Sequence, residues 1–378
     1  MAKWPSTKKA RAKVKRKGHF SWRSAKSNSK DEREEKLLAE RQAYYSQLEA
    51  NDALPTAAGE ESVDSSTDQP STSVALPTLS IAIPGSVLNN AQSLELRTYL
   101  AGQIARAAAI FRVDEVVVFD EFARLTTAEV EAFSEWGAVH CAHGPSRSTL
   151  LLARILQYLE CPQYLRKRLF AMQPELKFAG LLNPLDCPHH LRADDLSVPF
   201  REAVVLAKPT REGKGSFCDA GFMKDVQVER QLQPGLRVTL RLTNTDPSRK
   251  RFRGDVVSPT APAAAGHYWG YNVRVAKSMA DVLGSSPHDG GYDLTVGTSE
   301  RGASVVDVEL PTAKHALVVF GGVKGLEVCL ENDEAIEASE PSALFGYYLN
   351  TCPDQGSRTI RTEEAMLITL TALQAKWK

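Results

Sequence analysis

"LSIAIPGSVLNNAQSLELRTYLAGQIARAAAIFRVDEVVVFDE" fills Leu79–Glu121. Its first stretch, 79–86, is an apolar strand halted by Pro84 and Gly85. Residues 92–111 are rich in Ala and Leu at helical spacing. "DEVVVFDE" (114–121) then reads as a buried strand. Strand, helix and strand in about 40 residues make a βαβ unit, which requires a parallel sheet.

Helices are expected over "TAEVEAFSEW" and "TLLLARILQYLECP". After residue 197 the texture changes. "REAVVLA", "GSFCDAGF", "KDVQVER", "PGLRVTLRLT" and "RFRGDVVS" are short strands separated by Gly and Pro turns, so 198–262 predicts a small β-barrel or sandwich. Parallel-sheet texture returns in "YDLTVGTSERG", "KHALVVFGGVKGLE" and "LFGYYLN". The chain thus divides into a tail and linker (1–77), a first α/β part (78–197), the β module (198–262) and a closing α/β part (263–378).

The 378 residues carry no net charge, yet the charges are segregated. Residues 1–30 hold 11 Lys and Arg and no acid, whereas 31–77 hold 3 basic and 11 acidic residues. A segment so poor in aliphatics cannot bury a core, and disorder is expected there. "KKARAKVKRK" suits a nuclear address or a nucleic-acid-binding arm; a solubilising tail is the plainer alternative. Residues 31–50 suit a helix, and 51–77 a linker. No apolar run is long enough for a membrane span, and the start lacks a signal-peptide pattern, so neither insertion nor secretion is expected. Six scattered cysteines, Cys141, Cys161, Cys187, Cys218, Cys329 and Cys352, form no CxxC pair. In "DCPHH", Cys187, His189 and His190 have the wrong spacing for a zinc finger, and no metal is expected.

Three strand ends finish in small polar turns: "VGTSERG", "FGGVKGLE" and "LNTCPDQGSRTIRTEEA". In an open parallel sheet, ligands sit at the carboxyl ends of strands. "GGVKG" matches neither the dinucleotide nor the P-loop fingerprint. Thr362 reads as the N-cap of the last helix, with Glu363 and Glu364 in its first turn. Negative charge there disfavours a phosphate and tolerates a sulfonium, which points towards S-adenosylmethionine.

The 79–121 stretch, with "CPQYLRKRLF", "LLNPLDCPHH", "YWGYNVRVA", "GYDLTVGTSERG", "HALVVFGGVKGLE" and "NTCPDQGSRTIRTEEAMLITLTAL", resembles a SPOUT-class RNA methyltransferase family of eukaryotes. The resemblance covers roughly 78–376. It implies a trefoil-knot parallel sheet with an inserted OB-like barrel, and a homodimer helped by the last helix. It implies that loops 297–302, 321–326 and 349–361 hold S-adenosylmethionine through Thr298, Gly302, Gly321, Gly322, Gly325, Leu349, Asn350, Thr351, Cys352, Thr359 and Ile360. Arg106 matches the catalytic arginine of the first helix, with Arg97 a weaker match, and Glu363 is a candidate base. Ser357, Arg358 and Arg361 suit cofactor or RNA phosphate. The module's basic strip, Arg237, Arg241, Arg249, Lys250, Arg251 and Arg253, with Phe252 as a stacking ring, suits single-stranded RNA; a solvated hairpin tip is the alternative. The implied substrate is ribosomal RNA, with uridine N3 as target, in the nucleus and nucleolus. The family also includes a spindle- and centromere-associated member. A binding protein that keeps the fold without catalysis is the competing expectation, and the intact glycines argue against it. A nucleotide-dependent oxidoreductase fails on the absent fingerprint.

Overall fold

A computed structural model describes residues 77–134, 146–170, 172–208 and 215–377. The basic arm, the 31–50 helix, the linker and Cys141 lie outside the described residues.

The βαβ unit forms as its pattern requires. β1 (Thr78–Pro84) and β2 (Glu115–Phe119) pair in parallel, with α1 (Leu94–Ile110) between them. Ser93 caps α1 by accepting the Leu96 amide at 3.3 Å. Arg112, with φ 55°, turns the chain out of the helix. α2 (Thr127–Ser134), α3 (Arg147–Glu160) and α4 (Gln163–Leu169) follow.

The chain next builds a closed five-stranded barrel: β3 (Phe200–Val205), β4 (Ser216–Asp219), β5 (Val226–Val228), β6 (Arg237–Asn244) and β7 (Phe252–Val257), in the order β3-β4-β5-β7-β6. Every pairing is antiparallel except β5 with β7. After the one-turn α5 (Ala261–Ala264) the chain returns to the sheet. β8 (Asn272–Ala276), α6 (Met279–Gly284), β9 (Leu294–Ser304), β10 (His315–Val319), α7 (Glu327–Asn332), β11 (Tyr347–Asn350) and α8 (Thr362–Gln374) complete it.

The large sheet is parallel throughout, in the order β11-β9-β10-β1-β2-β8. Its strands are covered on both faces, and alternate residues enter different cores. Ile81, Ile83, Val116, Val118 and Val318 pack under α1, α3 and α8; Ala82, Val117, Leu317 and Val319 pack with residues of α6 and α7. Two covered faces explain why these strands read as unbroken apolar runs. The sequence reading missed β8 as a strand, because "NVRVA" is short and carries an arginine. Arg274 is accommodated by Glu115, Nε to Oε1 at 2.7 Å, and by the Tyr292 hydroxyl.

The barrel is fastened to the sheet domain by buried polar groups. Arg237 on β6 reaches both oxygens of Glu160 at the end of α3, at 2.7 and 2.9 Å. Its Nε donates to Glu202 on β3 at 2.6 Å. Thr239 and the Trp269 indole also donate to Glu202. Burial opposes the charge on Glu160, but Arg237 and His189 hold its carboxyl well below the usual range. Burial likewise opposes the Arg237 charge, and the two carboxylates raise its pKa nonetheless. Arg237 therefore leaves the expected RNA-facing strip: it is a joint between barrel and sheet.

Candidate functional site

The carboxyl ends of β9, β10 and β11 open into one cleft of about 540 Å3. That lies within the range of small-molecule sites, roughly 300–1,000 Å3. Each wall has a local cause. β11 pairs with β9 at Tyr348↔Gly297 and then at Leu349↔Ala303, so 298–302 bows out between the two contacts. Here the structure differs from a simple strand-to-turn reading, because the wall is a bulge inside β9. Thr298 ties it down by donating to the Val319 carbonyl at 3.0 Å, and Asn350 donates to the Glu300 carbonyl at 3.0 Å.

The second wall is the tight turn after β10. Gly325, at φ 79°, returns its amide to the Gly322 carbonyl at 3.1 Å. A side chain at Gly325 would be strained by that angle. Arg301 and Glu327 close this side with a 2.9 Å ion pair. The third wall is 350–361, ending at α8. Thr351 and Thr369 share a 2.7 Å hydroxyl contact, and Thr362 donates to the Gly321 carbonyl at 3.1 Å. The N-cap is Arg361, not Thr362. Glu364 accepts the Arg361 amide at 3.0 Å, which frees the Thr362 hydroxyl to clamp the glycine turn.

Of the residues singled out in the sequence, Thr298, Gly321, Gly322, Gly325, Asn350, Thr351, Cys352, Arg358, Thr359, Ile360 and Arg361 line the cleft. Others lie elsewhere. Leu349 is a core residue, 1% exposed. Gly302 packs on β11: a Cβ there would stand 2.5 Å from the Leu349 carbonyl carbon. Glu363 is buried behind the helix start, with Oε2 unpartnered. Arg97 donates to the Ala91 carbonyl at 3.0 Å, next to Asn90, which is a cleft residue. Arg106 is outside the cleft of its own chain; its Nη1 donates to the Leu185 carbonyl at 2.5 Å. Ser357 folds back on its loop, donating to Thr359 O. The three loop ranges took in Ser299, Lys324 and Gln355 without naming them, and sequence reasoning missed Asn90 and Ile368 as lining residues. For those two, proximity to the three turns gave no signal.

On the barrel, Arg241, Arg249, Lys250, Arg251 and Arg253 are exposed. The Arg251 guanidinium lies 4.2 Å over the Phe217 ring. Phe252 already meets Phe222 edge-on at 5.2 Å, so its ring is partly engaged within the barrel. Cys187, His189 and His190 are drawn together despite their spacing, each offering a ligand atom within 4.8 Å of the others. Both imidazoles use Nε2 on the Glu160 carbonyl, at 2.9 and 2.6 Å, so the cluster braces the end of α3. Burial, with His189 beside it, lowers the His190 pKa to about 4.

The chemistry of the cleft is that of a reader of small polar ligands: two glycines that admit a close approach, main-chain groups on three loops, and hydroxyls from Thr298, Thr351 and Thr359. At Gly322 a Cβ would stand 2.5 Å from Glu121 Oε2, so the turn has no room for a side chain there. This donor set fits an adenosine-bearing methyl donor.

The comparisons agree with that chemistry. The model of a family described as "Putative RNA methyltransferase" matches residues 78–373. A human protein named 28S rRNA (uridine-N(3))-methyltransferase is 56% identical over 299 residues, covering 79% of this chain and 78% of its own. A Drosophila melanogaster protein of the same name is 47% identical over 366 residues, covering 95% of this chain and 73% of its own. A Caenorhabditis elegans protein named "Putative methyltransferase spot-1" is 39% identical over 366 residues, covering 94% of this chain and 90% of its own. With its parallel sheet, inserted barrel and three-walled cleft, the chain belongs to this family of RNA methyltransferases.

Proposed function

We propose that the protein transfers a methyl group from S-adenosylmethionine to N3 of a uridine in the large-subunit ribosomal RNA. One observation carries this reading: three carboxyl-end loops and the start of α8 converge on a single glycine-floored cleft. The names of the human and Drosophila relatives supply the acceptor.

S-adenosylmethionine supplies a methyl on a sulfonium sulfur, which leaves as a neutral thioether. Little acid catalysis is then needed, and alignment is the main demand on the protein. Thr298, Gly321, Gly322, Gly325, Asn350, Thr351, Cys352, Thr359 and Ile360 would hold the donor. A SPOUT arrangement, with 349–374 threaded as a trefoil knot, would keep the third wall from peeling away. Glu363 and Leu349 support that wall from behind.

Loss of the N3 proton to water leaves negative charge on the uracil ring, and a guanidinium stabilises it. Arg106 is assigned that role. It lies outside its own cleft, so it would serve the cleft of a second copy. Tyr99, Gln103, Arg106 and Ile110 share one face of α1 at helical spacing, with Tyr99 58% and Ile110 54% exposed. An apolar face that displays an arginine suits a homodimer interface. Arg97, Arg358 and Arg361 would meet RNA phosphate near the cleft. Arg251 and Arg253 of the OB-like barrel would meet it further out, since arginine suits phosphate. Ribosomal RNA as substrate implies a nucleolar site of action.

The test is direct. Ribosomal RNA from cells lacking the protein is incubated with purified enzyme and S-adenosylmethionine, then digested and analysed by nucleoside mass spectrometry. New 3-methyluridine supports the reading; no methylated nucleoside refutes it.

A further inference from the structure

Three neighbouring strands, β10, β1 and β2, end side by side. β10 runs into Gly321 and Gly322, β1 into Ser86, and β2 into Glu121. Gly322, Ser86 and Glu121 meet at one point. A Cβ placed on Gly322 would stand 2.5 Å from Glu121 Oε2 and 3.0 Å from Ser86 Oγ. Glu121 is 6% exposed. Its Oε2 and the Ser86 Oγ are both buried without a hydrogen-bonding partner of sound geometry, although the hydroxyl is near enough to lower the carboxyl's pKa. Buried polar atoms in native folds are nearly always paired. Two orphans facing each other beneath a ligand cleft therefore call for a role.

Gly322 lines the cleft on its other side. Its main chain, with no side chain, is what stands between the carboxyl group and whatever fills the cleft. Burial raises the Glu121 pKa; Asp120 adds to the rise, while Ser86 and Lys324 oppose it. Cys329 lies on the same side, its thiol pushed by burial to about 12 and hence neutral. A carboxylate held in so dry a place is stabilised by a cation on the far side of the glycine.

We propose that Glu121 is a positioning residue: pressed against Gly322 beside Ser86, it fixes the 321–325 turn and gives the cleft a preference for a cationic methyl donor over the neutral product of transfer. This rests on the donor reading above. It gives the product a reason to leave, because loss of the sulfonium charge removes the attraction. At an effective dielectric of about 20, a full charge about 12 Å away changes affinity by about tenfold, and a nearer one by more.

Calorimetric titrations with S-adenosylmethionine and with S-adenosylhomocysteine test this in wild type and Glu121→Gln. Glu121→Gln keeps the shape and removes the charge. The expected result is a loss of about tenfold in donor affinity with product affinity nearly unchanged. Equal weakening of both ligands, or of neither, overturns the proposal. A wild-type pH series serves even if the variant does not fold. Burial raises the Glu121 pKa, so Glu121 takes up a proton as pH falls; the donor-to-product affinity ratio should drop as pH is lowered, and a constant ratio overturns the proposal. If wild type binds neither ligand, the donor reading itself has failed and takes this inference with it.

Discussion

The three-walled cleft and the barrel joint use the same kinds of residue in opposite ways. At the joint, Glu160 and Glu202 are buried, Arg237 is partly buried, and the two carboxylates are bonded to the guanidinium at both ends. Thr239, Trp269 and His189 take up remaining lone pairs of the two carboxylates, although His189 Nδ1 is itself buried without a partner. Around the cleft, Ser86 Oγ, Glu121 Oε2 and Glu363 Oε2 are buried without partners. A polar group that fixes geometry is stable only when its bonding is complete. A polar group that serves a ligand keeps capacity in reserve. Arginines divide the same way: Arg237 is locked in the joint, while Arg358 and Arg361 stand exposed on the cleft wall.

That contrast can be broken experimentally. The largest effect belongs to the joint. Arg237→Met strands two buried carboxylates and should cost about 3–5 kcal/mol, lowering the melting temperature by roughly 10 °C. A melting curve near wild type would show the joint to be dispensable. The same pair sets a pH signature. The Glu160 pKa is lower in the fold than in the unfolded chain, so its stabilisation is present above the unfolded value and fades as pH falls below about 4.5. Melting measured from pH 7 to pH 3 should show that loss in wild type, and less of it in Arg237→Met.

Next comes Arg106→Ala, expected to slow methyl transfer about hundredfold while melting temperature and donor affinity hold. Full turnover would remove Arg106 from the reaction. Gly322→Val should weaken S-adenosylmethionine by about tenfold or more, because its Cβ meets Glu121 Oε2 at 2.5 Å. Unchanged donor affinity would move the donor off this turn. The smallest effect belongs to the barrel surface. Arg251→Ala with Arg253→Ala should lower RNA affinity modestly and reduce the slope of log affinity against log salt by about two. A slope equal to wild type would free the barrel from phosphate contact.

Much of this was legible in the sequence for one physical reason. A parallel sheet covered on both faces writes itself as apolar runs such as "VVVF" and "ALVVF", and its loops collect glycine where a ligand approaches. The three cleft walls could therefore be read from strand ends. The N-cap was misassigned because Thr362 has capping chemistry and Arg361 does not; only the fold reveals that the hydroxyl is needed on Gly321. Arg237 looked like one more member of a basic strip, since its partners Glu160 and Glu202 are 77 and 35 residues away. Glu121 sat unnoticed at the end of a strand, because nothing local marks a carboxyl as pressed against a glycine two hundred residues later. Leu349 and Gly302 were placed in the ligand shell by position in a motif, and packing gives them to the core and to the bulge.

The central claim is that the donor binds where β9, β10 and β11 end. Hydrogen–deuterium exchange with and without S-adenosylmethionine tests it most directly. The account predicts slowed exchange in 298–302, 321–326 and 350–361 and no change across the barrel strands of 200–257. Protection confined to the barrel, or absent from all three loops while calorimetry shows binding, would contradict it.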